Sequence, residues 1–339
     1  MSGLDGLRTF AVLMVFASHA YPSKFSAGNI GVDIFFVLSG FVITRLLLAH
    51  RATEGKWGLA TFYKNRFLRL TPALWLMVLC ISAALPFFGR SKDLALVPWT
   101  LFYSMDFFQI ITPDTARVFL HTWSLSVEEQ FYLVWPLMLV VVSLGSRSVR
   151  RVKILALLGA FCSLAMTAAL TLEKSGAGAA SRIYNGPDTR AVQLFVGCAL
   201  ACIDPDKVPA AVKRLLGVVA WVVALVLAAW VAFLPSDDAN FRLFVVLPFI
   251  AVATGSVIFV LSTNGTHLLT RLLSHPALSW PGRHLSYSFY LWHYPLVVMV
   301  EPLLPGHARY QVVQVFILSC ACSLFSFVAV ERPIARKFR

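Results

Sequence analysis

The residues in this chain that could do chemistry are few, and apolar sequence surrounds most of them. Residues 4–19, LDGLRTFAVLMVFASH, put Asp5 and Arg8 at the head of an apolar run and His19 at its far end, with ten residues between the arginine and the histidine. On an α-helix these two side chains would stand about 16 Å apart along the axis and, after eleven steps of about 100°, nearly on one face. One helix would then carry a fixed cation near one end and a titratable imidazole well inside a membrane. Ionisable groups at that depth are costly, and their default reading is functional. An anchoring arginine that snorkels to headgroups would account for Arg8, but not for His19.

Other candidates follow along the chain. In NIGVDIFFVLSGFVITRLLL, Asp33 lies inside an apolar span and needs a cation or several donors. Arg8 and His19 on the preceding segment are the nearest partners by sequence; a hydrogen-bonded packing role is the other reading. FYKNRFLRLTPALW sets Arg66 and Arg69 on one helix face, where two guanidiniums would clamp phosphate oxygens, with Lys64 adding charge beside them. The same residues also read as an ordinary basic cluster at a cytoplasmic boundary. HTWSLSVEEQFYLVWPL crowds His121, Trp123, Ser124, Ser126, Glu128 and Glu129 into nine positions. Adjacent carboxylates on a helix point about 100° apart, so one of them can orient an imidazole or hold a sugar hydroxyl while the other complements the helix N-terminus. Trp123 and Tyr132 suit stacking on a sugar, or a place in an interfacial aromatic girdle. Asp188 and Arg190 open DTRAVQLFVGCALA, with Asp188 placed as an N-cap. SYSFYLWHYPL carries Tyr290 and His293 ahead of Pro295, which would kink the helix; the histidine then either lines a cavity or donates one bond to a backbone carbonyl. There is no HExxH or CxxC metal spacing, no GxSxG elbow and no phosphate loop, so the expected chemistry uses His, carboxylate and Arg, without a metal.

The elements that must position these residues are membrane helices. Of 339 residues, 58% are hydrophobic and 13% charged, where a soluble domain carries about 25% charged; mean hydropathy is +0.75. The net charge of +13 is spread between apolar segments, which fits topology signals and excludes a nucleic-acid partner. The six cysteines all fall inside apolar segments and read as packing residues. The first apolar run lacks the pattern of a cleaved signal peptide and is expected to be retained. Windows long and apolar enough to span fall near 7–22, 30–49, 67–88, 128–145, 154–173, 189–203, 213–234, 241–262, 284–303 and 311–330. The first and sixth are short and are expected inside the bundle. The stretch 94–111, interrupted by Pro98 and Asp106, reads as re-entrant or interfacial, and KSGAGAAS at 174–181 as a flexible loop. Placing both termini in the cytoplasm puts most of the 29 basic residues inside. The expected architecture is therefore an all-α integral membrane protein, a bundle of about ten transmembrane helices forming one domain over 1–339, with no soluble domain appended after VERPIARKFR. No internal repeat of the kind common in transporters is visible.

Taken together, these strings resemble the acyltransferase-3 family of bacterial integral membrane O-acyltransferases, nearly end to end. The resemblance rests on LDGLRTFAVLMVFASH, GVDIFFVLSGFVIT, the step from Arg66 to Arg69, WSLSVEEQFYLVWP, DTRAVQLFVGCALA, SFYLWHYPL and VERPIARKF, in that order. It implies a multi-pass enzyme of the bacterial cytoplasmic (inner) membrane that moves an acyl group, commonly acetyl, from acyl-CoA to a hydroxyl. Family acceptors include surface polysaccharides, lipopolysaccharide, peptidoglycan and macrolides. A carbohydrate acceptor is expected here, with a small natural product such as a macrolide as the alternative and a glycan or lipid transporter as the reading from another class. Many relatives carry a C-terminal esterase-like domain that this sequence does not show. By position, the resemblance makes His19 the catalytic base and Arg8 its motif partner. It makes Arg66 and Arg69, with Lys64 beside them, ligands of the coenzyme A phosphates, and Glu128 and Asp33 supporting carboxylates. Trp123, Asp188, Arg190, Tyr290 and His293 are left to hold the acceptor. Membrane lipids are the remaining expected partners, and association with further copies of the chain stays open. A neutral histidine can take the proton of an attacking hydroxyl near pH 7, and Arg8 or another donor can meet the oxyanion; an acyl-histidine intermediate is the variant. With the arginines at the cytoplasmic face and His19 deeper, a tunnel between helices is expected, open inward for the donor and outward for the acceptor.

Overall fold

The computed structural model describes residues 2–25, 28, 30–113, 117–144, 148–173, 177–233, 239–263, 267–305 and 307–338. Among them the regular elements are all helical. The longer helices are α1 (Ser2–Ala20), α2 (Ile30–Glu54), α3 (Leu59–Ala84), α4 (Trp123–Val142), α5 (Val149–Leu172), α6 (Ala177–Asn185), α7 (Pro187–Ala201), α8 (Ala210–Phe233), α9 (Ala239–Thr263), α10 (Pro276–His284), α11 (Ser286–Met299) and α12 (Ala308–Ser326). Each of the ten apolar windows falls mainly on one of these helices, the last residues of the 128–145 and 213–234 windows lying outside the described residues. Among the described residues five stretches are long and apolar enough to cross a membrane: Ile30–Glu54, Leu59–Phe88, Leu120–Val142, Val149–Leu172 and Arg309–Lys337. Their outer faces show Leu79, Leu133, Phe161 and Ile317, large apolar side chains that a lipid surround accepts and water would not.

The two short apolar windows form α1, which bears part of the site, and α7, and both helices are enclosed. Most of α1 is buried between α2, α10 and α11, and most of α7 between α2 and α5. A 15-residue helix rises only about 22 Å, so α7 suits the interior of the bundle. Contact between α2 and α7 is backbone to backbone: a Cβ at Gly40 would meet the Leu194 carbonyl oxygen at 1.9 Å, and one at Gly197 the Val37 carbonyl oxygen at 2.1 Å. Only glycine admits that approach, the small-residue packing of helices that gain little from burying apolar surface against each other.

One local expectation changes and another gains detail. Residues 174–176 of the supposed loop lie outside the described residues, but the alanine-rich remainder opens α6 at Ala177, as the helix propensity of alanine favours. The 94–111 stretch is broken into short helices Val97–Leu101 and Met105–Ile111, with Tyr103 between them at φ 51°. Asp106 is fully buried there, and the Gln130 side chain donates to its two carboxylate oxygens at 3.1 Å each. The acid that interrupts this apolar run is thus a tie to α4.

Candidate active site

Two polar stations lie along α1. The first is a cavity of about 110 Å³ whose lining includes Arg8, Ser39, Arg66, Arg69, Glu128 and Tyr132. Asp5 holds Arg8 (Nη1 to Oδ1, 2.6 Å) and also accepts from Arg283 (Nε to Oδ2, 3.0 Å), so one carboxylate links the start of α1 to α10. Arg66 reaches Glu129 (Nε to Oε1, 3.2 Å) and lies 3.5 Å from the centroid of the Tyr132 ring. The Ser39 hydroxyl donates to Glu128 at 2.7 Å. Arg69 makes no hydrogen bond or ion pair with any described residue, and it is exposed. Three guanidiniums and one carboxylate, Glu128, are in the lining; with Arg8 held by Asp5 and Arg66 by Glu129, Arg69 is the guanidinium with capacity left for an anion. Lys64 stands outside it, exposed, its Nζ 5.7 Å from the Phe338 ring centroid. The C-terminal end of the described residues therefore packs beside α3.

The second station gathers three histidines from distant parts of the sequence. His19 ends α1, His121 sits in the turn before α4, and His293 lies mid-way along α11. His19 Nδ1 is 3.0 Å from His293 Nε2, and the two rings stack at 5.2 Å and 28°. His293 is fully buried, with Nδ1 2.8 Å from the Tyr290 carbonyl and 3.2 Å from that of Phe289. Pro295 has no N–H to offer the carbonyl one turn back, that of Leu291. The His121 Nε2–H donates to that carbonyl instead, at 3.1 Å. Tyr294 closes the group, its ring edge-on to His19 at 4.8 Å and 5.1 Å from that of His121. His19 alone of the three is partly exposed.

Between the stations lies a polar layer. The Tyr290 hydroxyl donates to the His121 carbonyl at 2.8 Å and therefore accepts from Ser124 at 2.6 Å. Tyr290 and Ser124 line the arginine cavity; His19, His121 and His293 do not. The arginine cavity thus ends, on the histidine side, at two hydrogen-bonded side chains, and His19, where the expected tunnel leads, is not in its lining.

The structure brings some of the expected residues together and separates others. Asp33 pairs with neither Arg8 nor His19. Its partner is Arg190 (Nη2 to Oδ1, 2.7 Å), and Gln193, one turn further along α7, donates to it at 2.9 Å. The guanidinium of Arg190, fully buried, lies 5.1–5.5 Å from the ring centroids of Tyr184, Trp123 and Phe36. Trp123 is itself buried and faces this arginine. Asp188 is not the N-cap of α7, a position held by Gly186; it binds Arg182 through both oxygens, at 2.7 and 2.5 Å. Glu128 and Arg8 belong to the cavity, and the hydrogen-bond partner of His19 is His293. Sequence assigns no role to Ser39 or Gln193, and it names His121 and Glu129 only as members of one crowded string. His121 stood in the same crowded string as Glu128, but only the missing amide of Pro295 marks a carbonyl for it to reach.

Against known proteins, residues 1–331 match the acyltransferase-3 family model, described as an acyltransferase domain. Over 358 residues the chain is 33% identical to a peptidoglycan O-acetyltransferase of Listeria monocytogenes, covering 98% of this chain and 55% of that protein. Over 363 residues it is 30% identical to an O-acetyltransferase of Staphylococcus aureus, covering 99% of this chain and 57% of that one. The chain thus spans about half the length of the curated relatives it matches. No solved structure matches it.

Proposed function

The chain belongs to the acyltransferase-3 family, and from that premise we propose that it is a multi-pass membrane O-acetyltransferase that moves an acetyl group from acetyl-CoA to a hydroxyl of a cell-wall glycan. The observation that carries this reading is the pair of stations on one helix: an arginine-lined cavity at the start of α1 and an imidazole cluster at its end. The cavity suits the phosphates of the donor, with Arg69 the guanidinium that no described residue already holds. The cluster suits the acceptor, with His19 as base. The acceptor oxygen forms its bond to the thioester carbonyl carbon as His19 takes the hydroxyl proton. The carbon–sulfur bond then breaks, and the proton passes to the departing thiolate, leaving an acetyl ester and free coenzyme A. In this scheme the Tyr290–Ser124 layer opens to let the thioester through, and it keeps the donor from water the rest of the time. The positively charged end of the bundle faces the cytoplasm, where the donor is made.

The test is acetyl transfer by purified protein in lipid, from acetyl-CoA to glycan-strand fragments. His19→Ala is expected to lower turnover by about 10²-fold or more with coenzyme A affinity unchanged. Movement of the glycan across the bilayer without thioester consumption would replace this reading with a transporter.

A further inference from the structure

We propose that His293, with the Tyr290 carbonyl behind it, fixes which nitrogen of His19 carries the proton and so leaves Nε2 of His19 bare; the argument rests on His19 being the base. A carbonyl oxygen can only accept a hydrogen bond, so the His293 nitrogen that lies 2.8 Å from the Tyr290 carbonyl, and 3.2 Å from that of Phe289, carries a hydrogen. Nδ1 of His293 is therefore the donor. No carboxylate contacts either ring among the described residues, and a charged ring this deeply enclosed would lack a counter-ion. The neutral His293 ring then presents Nε2 as a lone pair. That lone pair faces His19 Nδ1 at 3.0 Å, so His19 Nδ1 donates. In a neutral imidazole the proton on one nitrogen leaves the other bare, and for His19 the bare nitrogen is Nε2. It makes no hydrogen bond with a described residue, and its ring alone in the cluster is partly exposed.

The order carbonyl, imidazole, imidazole does here what a buried carboxylate does for the base of a hydrolase: it selects a tautomer and an orientation. Two features separate this from a substrate-binding role for His293. Both of its ring nitrogens are already engaged, and its side chain has no exposed surface. Stacking on Phe289 at an interplanar angle of 2°, with Phe16 edge-on, holds the ring in the plane the relay needs. His293 is thus a positioning residue, acting on the acceptor only through His19.

The experiment is nitrogen-15 NMR of histidine-labelled protein in bilayers, with the His19 signals identified by their loss in His19→Gln. The wild type is expected to show His19 protonated on Nδ1. His293→Gln, whose amide oxygen can take the same bond, is expected to keep that tautomer and turnover within about tenfold of wild type. His293→Phe, which offers no acceptor, is expected to move the His19 proton to Nε2 and lower kcat by something on the order of 10²–10⁴ at unchanged coenzyme A affinity. A wild-type His19 protonated on Nε2 overturns the proposal, as does wild-type kcat in a folded His293→Phe protein. Should the Phe variant fail to fold, the wild-type and Gln spectra decide. Turnover that survives His19→Ala while the Nδ1–H tautomer is in place would instead remove the base assignment beneath it.

Discussion

Removing one charge of the Asp33–Arg190 pair should cost far more than removing both. Asp33 is 4% exposed and Arg190 fully buried, with 2.7 Å between them. Arg190→Met leaves a carboxylate inside the bundle with Gln193 as its one remaining donor, and stranding a buried charge in this way costs about 3–5 kcal/mol. Asp33→Leu strands the guanidinium instead; the surrounding rings of Tyr184, Trp123 and Phe36 offset part of the loss, by roughly 0.5–2 kcal/mol each where desolvated. Replacing both residues by apolar ones of similar volume removes the desolvation penalty along with the attraction, and such exchanges run from neutral to stabilising. The double variant should therefore be more stable than either single one, with a coupling energy of about 3 kcal/mol or more. A double-mutant cycle measured by reversible detergent unfolding, followed by far-ultraviolet circular dichroism, reads that coupling directly. Single-variant effects that add to within about 0.5 kcal/mol would refute the reasoning. A double variant that is well folded yet unable to transfer acetyl would show that the pair takes part in the reaction rather than in joining α2 to α7.

Three further outcomes follow from the same geometry. Arg69→Ala should weaken coenzyme A binding by about tenfold, the loss of one charge-assisted contact at an exposed position, whereas Lys64→Ala, outside the cavity, should leave the dissociation constant within about twofold; calorimetric titration checks both. Tyr290→Phe removes the hydroxyl that joins Ser124 to the His121 carbonyl, and should destabilise the protein by about 1–3 kcal/mol while raising hydrolysis of acetyl-CoA in the absence of acceptor, read from thiol release. Gly40→Val drives a side chain into the Leu194 carbonyl and should cost about 1–3 kcal/mol or more, seen as a lower unfolding midpoint.

Much of this protein could be read in one dimension, because the relevant physics is local or periodic. Apolar windows mark helices since the bilayer leaves a chain few other ways to satisfy its backbone, and each of the ten windows falls mainly on one. The interval from Arg8 to His19 set the length of one helix between two kinds of site, and helical geometry alone put a cation at one end and an imidazole at the other. The strings around Asp5, Arg66, Glu128 and His293 carried the family, as the match over residues 1–331 shows.

What the chain order could not convey is pairing between helices. Asp33 stands nearer in sequence to Arg8 than to Arg190, but the glycine contacts of α2 with α7 bring Arg190 to it. His19 and His293 are 274 positions apart, and no periodicity links them. Nor does any sequence pattern say that the arginine cavity ends, on the histidine side, at Tyr290 and Ser124. Helix formation is decided within a few residues, by hydrogen bonds whose partners lie four positions away. Which nitrogen bears a proton and which acid meets which base are decided by side chains that only the packing of the whole bundle makes neighbours.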